Sequence, residues 1–332
     1  MTDSHSSAPT DIVGTPESPH VEWTTLEQQK YGREPFCASH NIHEHPAFSE
    51  QGLIDLLDRY PRERLQVFTM GDDPENRFEW EPVDTRDASG ADIMHAVAVG
   101  KLWVKLMRLD LADKAVADLV DELYADLQRQ DPGFHALWVR PLLLISSPGA
   151  LVYYHTDPQN MMLWQISGTK RVWIYPPKEP FILPEMMEEI FAGDADEEVP
   201  YQLDFDESAS VFDLKPGEVL SWPLNAPHRV TNHDSVNVSM SVTVGSESAD
   251  RRSELYQANL MLRRKLGMRN PSASDTGAVS FIKRTGFRVA RKLGMTPGIA
   301  SQREPYMATS RIDGSSPAGI QAIPDGPVKT LF

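Results

Sequence analysis

The sequence predicts a mainly β core with flanking helices: a sandwich or barrel between a helical N-terminal region and a pair of C-terminal helices. Three observations carry this reading. Between Arg140 and Gly245 the apolar residues fall into eight short runs punctuated by Gly, Pro and Asn, as antiparallel all-β units do. From Glu50 to Gln130, and again after Ser248, apolar residues recur at i, i+3, i+4 and i+7, the period of a helix. A chain of 332 residues with 40% hydrophobic content is one large domain or two small ones, ample for a sizeable core.

Residues 1–24 are polar and rich in Ser and Pro, which predicts a disordered arm. They contain neither a basic n-region nor an apolar stretch, so they do not read as a signal peptide. Residues 25–139 form the helical N-terminal part of the domain. There "SEQGLIDLLDRYP" opens on Ser49, a capping residue, and stops at Pro61. The helical period continues in "SGADIMHAVAVGKLWVKLMRLD", Ser89 to Asp110, and in "DKAVADLVDELYADLQRQ", Asp113 to Gln130, while "RLQVFTM" reads as a single strand among them.

Residues 140–248 hold the barrel, its strands being "RPLLLIS", "ALVYYHT", "NMMLWQIS", "KRVWIYP", "SVFDL", "EVLSWP", "HRVTN" and "VNVSMSVTV". Jelly-roll and cupin architectures are among the options for such a set. Residues 249–301 are predicted as two helices, both ending in "RKLGM", with Gly267 and Gly294 as C-caps. The Pro- and Gly-rich stretch 302–332 reads as a flexible tail.

The net charge of −16 argues against nucleic acid or an anionic membrane as partner. No apolar run approaches the roughly 20 residues that cross a bilayer. One cysteine, Cys37, excludes an internal disulfide and a thiolate metal cluster and points to the cytoplasm. The charge is uneven. Arg251 to Met295 carries 11 Lys/Arg against two acids, a local +9, which leaves −25 for the rest. That basic segment is either a pair of solvated helix faces or a docking surface for an acidic partner. Conversely, Pro184 to Ser208 holds ten acids and no Lys or Arg. It reads as a solvated loop with one short helix, or as a flap over a pocket.

The chemistry concentrates in "VYYHTDPQNMMLWQISGTKRVWIYPP", Val152 to Pro177. His-x-Asp/Glu is a weak motif, and composition alone gives one or two copies. The two present are His20–Glu22, in the polar arm, and His155–Asp157, in a strand. Side chains i and i+2 of a strand share a face, so His155 and Asp157 project together, with Tyr153 and Leu151 beneath them. An imidazole and a carboxylate so placed are two ligands of a divalent metal, and a second His completes the two-His-one-carboxylate set of non-haem iron oxygenases. His228, 73 residues after His155 at the start of "HRVTN", is the candidate; His233 reads as a loop residue.

Ser167-Gly168-Thr169 reads as a hairpin turn, after which Lys170 shares a face with Val172 and Ile174. If that face lines the barrel, Lys170 is an inward amine needing an anionic partner, and a bound dicarboxylate would serve. Otherwise it snorkels to solvent. Trp164 and Trp222 read as core fillers, and the three histidines of "HNIHEHP", His40 to Pro46, as a surface turn. No phosphate loop, nucleophile elbow or Cys-x-x-Cys is present, so those enzyme classes are unsupported.

"HTDPQNMMLWQISGTKRVWIYPP" followed by "GEVLSWPLNAPH" resembles the JmjC-type, cupin-like Fe(II)/2-oxoglutarate oxygenases, in particular their asparaginyl/aspartyl-hydroxylase-like branch. The spacing of 13 residues from Asp157 to Lys170 is part of the likeness, which covers roughly Arg140 to Gly245. The resemblance implies a double-stranded β-helix and a hydroxylase. It implies Fe(II) on His155, Asp157 and His228, the far carboxylate of the 2-oxoglutarate cosubstrate on Lys170, and O2 as oxidant. The family usually has Thr at the position of Val152; Tyr153 offers a candidate replacement hydroxyl for the cosubstrate. The Asn of the family's last strands has only Ser239 and Ser241 nearby. Relatives often dimerise through C-terminal helices, which implies a homodimer using the stripes Leu255, Leu260, Leu262, Leu266 and Val279, Ile282, Phe287, Val289. The alternative is a cupin-fold metal-binding or regulatory protein without 2-oxoglutarate turnover. The substrate, a protein side chain or a small molecule, is not legible.

Overall fold

The computed structural model describes residues 20–76, 79–295 and 305–332. After α1 (Thr25–Lys30) come β1 (Phe36–Ser39), α2 (Glu50–Arg59), β2 (Leu65–Thr69) and the short β3 (Val83–Asp84). Then follow α3 (Gly90–Val99), β4 (Leu102–Leu106), α4 (Leu109–Ala112) and α5 (Lys114–Gln130). The barrel strands are β5 (Trp138–Ser146), β6 (Leu151–His155), β7 (Asn160–Ser167) and β8 (Lys170–Ile174). After α6 (Pro184–Ala192) it continues with β9 (Ser210–Leu214), β10 (Glu218–Ser221), β11 (His228–Asn232) and β12 (Asn237–Gly245). The chain ends with α7 (Glu247–Leu266), α8 (Gly277–Lys292), β13 (Met307–Ala308), β14 (Ser310–Ile312), β15 (Ile320–Ala322) and β16 (Val328–Lys329).

Two antiparallel sheets face each other. The larger has the order β1-β10-β7-β12-β5-β4-β2 and the smaller β6-β11-β8-β9. Alternation sorts the larger sheet's side chains. Met162, Trp164, Val238, Met240 and Val242 join the main core beneath α2, α3 and α5, while Met161 and Leu163 meet Val172, Ile174 and Val230 between the sheets. The expected cap forms at Ser49, whose Oγ accepts from the Gly52 amide at 3.1 Å, and Asp113 caps α5, its Oδ1 accepting from Val116 at 3.1 Å.

Five expectations need correction. The helical reading of Ser89 to Asp110 holds only to Val99; beyond Gly100, β4 pairs with β2 and β5. Its alternation Leu102, Val104, Leu106, all buried, fits a strand, and burial between two partners outweighs local helical spacing. The disordered arm 1–24 is corrected from residue 20 onward, residues 1–19 lying outside the described ones. Val21 is fully buried and bridges His40, and Trp23 packs edge-on against Phe36 at 5.3 Å.

The flexible tail 302–332 is corrected from residue 305, residues 302–304 lying outside the described ones. There β14 runs parallel to β3, Ile312 enters the main core, and Phe332 packs on Phe68 at 5.6 Å. Polar composition hid a segment that is anchored by a few apolar residues at long range. His40, read as part of a surface turn, is buried edge-on against Trp164 at 5.3 Å.

The acidic insertion and the basic helix find each other. Arg263 pairs with Glu185 and with the fully buried Glu188, both at 2.7 Å, and Arg264 pairs with Asp194 at 2.7 Å. The insertion also carries its own small core, in which Met187, Ile190, Val199 and Phe205 pack with Tyr154 and Tyr175. It is not a solvated loop: it packs on the barrel, and its Asp196, Glu197 and Glu198 line the cavity between the sheets, where a flap over a pocket would lie. Residues 197–199 run along β6 as an irregular edge strand, with Thr156 donating to the Glu197 carbonyl at 3.1 Å and Val199 to Tyr154 at 3.2 Å.

Candidate metal and anion site

His155 ends β6 and His228 begins β11, and the two are direct cross-strand partners. Asp157 follows two residues after His155. Their ligand atoms all lie within 4.8 Å of one another, with the imidazole centroids 4.1 Å apart and His228 Nε2 3.4 Å from Asp157 Oδ2. A backbone device holds the spacing. Asn225, in the left-handed conformation at φ 63° that Asn tolerates, donates from Nδ2 to the Asp157 carbonyl at 2.8 Å. Its own carbonyl accepts from Thr156 Oγ1 at 3.0 Å. The loop before His228 is thereby tied to the segment carrying the other two ligands.

The tautomers follow from the partners. His155 Nδ1 contacts the Tyr153 carbonyl at 2.7 Å and His228 Nδ1 the Ala226 carbonyl at 3.1 Å. A carbonyl only accepts, so both Nδ1 atoms carry hydrogen and both Nε2 lone pairs are left for a cation, the usual outer-shell arrangement of ligating imidazoles. Burial, aided by His155, drives the His228 pKa well below its ordinary value and keeps that imidazole neutral. Burial also raises the Asp157 pKa, against the pull of His155 and Lys105. The trio therefore fits a divalent metal with two neutral nitrogens, one carboxylate and open positions.

These residues line a cavity of about 560 Å³ between the two sheets. Lys170 opens into the same cavity and is only 4% exposed. β8 alternates as expected, with Lys170, Val172 and Ile174 inward and Arg171 and Trp173 outward. No side chain among the described residues pairs with the Lys170 amine, and burial pushes its pKa down to about 7. A buried amine of this kind calls for an anion. One cavity thus offers a cation site and an anion site.

Tyr153 lines the cavity, as its spacing suggested, and a bulge sets where its hydroxyl lies. The β6–β11 register slips between His228 and Val230, so that Val230 faces Val152. This bulge breaks strict alternation: Val152 joins the cluster between the sheets, while Leu151 and Tyr153 pack with Phe68 and Met70. The Tyr153 hydroxyl accepts from the Gly71 amide at 3.0 Å. Sequence reading also missed the walls supplied from afar, Trp80 and Trp103 before the barrel and Tyr306 and Phe332 after it; no local signal marks them. Trp222, read as a core filler, lies against the His228 ring at 4.6 Å.

Residues 96–242 match the family model described as a cupin-like domain. No curated protein sequence matches the chain significantly. Among solved structures, Escherichia coli YcfD is similar at 14% identity and TM-score 0.47, over 82% of this chain and 68% of that one. YcfD described as a ribosomal oxygenase in complex with cobalt and 2-oxoglutarate aligns at 14% and 0.43, over 81% and 66%. The DMSP lyase DddQ from Ruegeria pomeroyi DSS-3 aligns at 12% and 0.22, over 33% and 39%. The mostly antiparallel two-sheet core with flanking helices is a jelly-roll-type fold, and the chain carries a cupin-like domain whose matched residues include His155, Asp157, Lys170 and His228.

Proposed function

We propose that the chain is an Fe(II)- and 2-oxoglutarate-dependent hydroxylase of the JmjC type. The observation that carries this reading is a single cavity holding both a two-His-one-carboxylate set, buried at His228 and half-buried at His155 and Asp157, and a buried amine without a partner among the described side chains. His155, Asp157 and His228 would hold the metal, and Lys170 would neutralise the far carboxylate of the cosubstrate. Bound iron, 2-oxoglutarate and O2 would together supply an oxidant for an unactivated C–H bond, releasing succinate and CO2. The protein's share is positioning: Nδ1 contacts orient the imidazoles, the Asn225 loop fixes the ligand spacing, and aromatic walls restrict water.

The substrate is a protein side chain or a small molecule that enters the cavity holding the metal and anion sites. A homodimer and a cytoplasmic setting belong to the same proposal. Val279, Ile282, Val289 and Leu293 of the α8 region are all more than half exposed. With Gly286 they follow a 3-4-3-4 spacing, the seam of paired helices, which supports a second copy of the chain as the partner. Phe287 is not in this seam; it is buried. The lone Cys37 is half-buried and free, which supports a reducing compartment. No helix among the described residues is long and apolar enough to cross a membrane.

One observation favours the second reading, a metal-binding cupin without turnover: Val152, where the resembled family usually has Thr, offers no hydroxyl. The test is succinate formation from 2-oxoglutarate with added Fe(II) and ascorbate, since uncoupled turnover requires no known substrate. Succinate above the rate of a His155→Ala control supports the hydroxylase. Metal binding without succinate supports the alternative.

A further inference from the structure

The walls of the cavity carry more negative charge than the metal and cosubstrate sites remove. A divalent ion, Asp157, a 2-oxoglutarate dianion and the protonated Lys170 sum to zero. The remaining charged residues of the lining are Lys105, Asp196, Glu197 and Glu198. The lysine offsets one acid, which leaves two negative charges on the wall of an enclosed space, where uncompensated charge is costly. Glu197 stands beside the metal-bearing segment, its carbonyl accepting from the Thr156 amide at 3.1 Å. Its side chain is exposed and lines the cavity. The carboxylate accepts no hydrogen bond and joins no ion pair among the described residues, although it feels the charge of Lys105.

Aromatic rings make up the rest of this wall. Trp80 meets Phe68 at 5.1 Å and 87° and Tyr306 at 5.7 Å and 69°, so near-perpendicular rings form a corner of the cavity. Ring faces attract cations, and the chain's own Lys105 already places its Nζ 4.5 Å over the Trp103 ring. Acids and ring faces in one cavity select a positive ligand with an apolar body. The sheet edges bear on its size. The outer edge of β6 is taken by residues 197–199, with His155 bridging Glu198 and Val199 donating to Tyr154 at 3.2 Å. The edge of β2 is taken by residues 81–82, with Thr69 donating to the Glu81 carbonyl at 2.8 Å and Phe68 bridging Pro82. Neither edge is open for a peptide to add as a strand, and a volume of about 560 Å³ is that of a small-molecule site. From this geometry we infer that the substrate is a small organic cation, a free amine or ammonium compound, its charge held between Glu197 and the Trp80–Tyr306 corner. This rests on the proposed hydroxylase reading and deepens it by naming the substrate class.

The test is titration of full-length protein loaded with Mn(II) and 2-oxoglutarate, followed by tryptophan fluorescence, with choline and with its neutral isostere 3,3-dimethylbutan-1-ol. Choline should bind roughly tenfold more tightly, the scale of combined ring-face and carboxylate contacts to a cation. Glu197→Gln and Trp80→Leu should each lower that preference roughly threefold to tenfold by weakening choline far more than the alcohol. A packing defect would weaken both ligands alike, and circular dichroism checks that each variant folds. Capped pentapeptides centred on Lys or Arg should displace choline no better than the alcohol does. Equal binding of choline and the alcohol, binding of neither, an equal loss of both in the two variants, or peptides that outcompete choline overturns the small-cation assignment alone, since 2-oxoglutarate is already bound. Failure of the wild type to bind 2-oxoglutarate while retaining Mn(II) overturns the hydroxylase reading and the substrate assignment together.

Discussion

Arg229, the residue after His228, is buried in an ion pair with Asp206 of the acidic insertion. Its guanidinium lies 3.5 Å over the Trp173 ring, and its Nε donates to the Tyr175 hydroxyl at 2.9 Å. Tyr175 and Tyr201 in turn donate to Asp206 Oδ1 at 2.5 and 2.6 Å. One carboxylate thus collects three donors and fastens the insertion to the strand that bears a candidate metal ligand. Asp206→Ala should destabilise the protein by about 3 kcal/mol, the low end for stranding a buried charge, because Asp206 keeps some solvent contact. Urea unfolding reads this as a lower midpoint at unchanged slope. Burial opposes ionisation of Asp206, but the bonds from Arg229 and the two tyrosines prevail and hold its pKa below the ordinary carboxylate value. The contribution is therefore complete above about pH 4 and fades as pH falls through the depressed value.

His155→Ala and His228→Ala should each abolish retention of Fe(II) or Mn(II), because two ligands do not hold these ions against water. The fold should survive, since neither ring fills the main core. Metal content by mass spectrometry of dialysed protein, with circular dichroism as the folding control, checks both. Unchanged metal in both variants would move the site elsewhere.

Lys170→Ala should separate anion from cation binding. Leaving one buried charge unpaired costs about 2–5 kcal/mol, or roughly 30-fold to several thousand-fold in 2-oxoglutarate affinity. Mn(II) affinity should hold, because an ammonium is no ligand. Lys170→Arg should be partly tolerated, its planar fork needing more room. Burial alone sets the amine near 7, and a bound carboxylate would draw it back up. Binding at pH 8 should therefore take up close to one proton, and at pH 6 almost none. Calorimetry in two buffers of different ionisation enthalpy measures the difference.

Ile282→Asp should shift the protein to monomer in sedimentation at micromolar concentration. A charge in the middle of the exposed α8 seam opposes helix pairing, while the side chain is already 68% exposed within one chain. The melting temperature at dilutions where the dimer has dissociated should stay within a degree or two of wild type. A wild-type monomer at high concentration would remove the dimer from the proposal.

Much of the site was legible because strand chemistry is periodic. The i, i+2 pair His155–Asp157 and the inward row Lys170, Val172, Ile174 follow from alternation within one strand, and the structure keeps both. The cap at Ser49 and the strand–turn punctuation of 140–245 are local too. Alternation fails only where a bulge intervenes: the slipped β6–β11 register sends the Tyr153 hydroxyl to Gly71, and no pattern in "LVYYH" marks the slip. Other features depended on partners far along the chain. Residues 102–106 became a strand because β2 and β5 flank them. The acids of the insertion met Arg263 and Arg264 some 70 residues later. Tyr306 and Phe332, in a segment whose composition suggests no order, became cavity walls. Local sequence determined the periodicity and hence which residues share a face. Which faces meet, and which charges become partners, depends on long-range burial that only the assembled sheets decide.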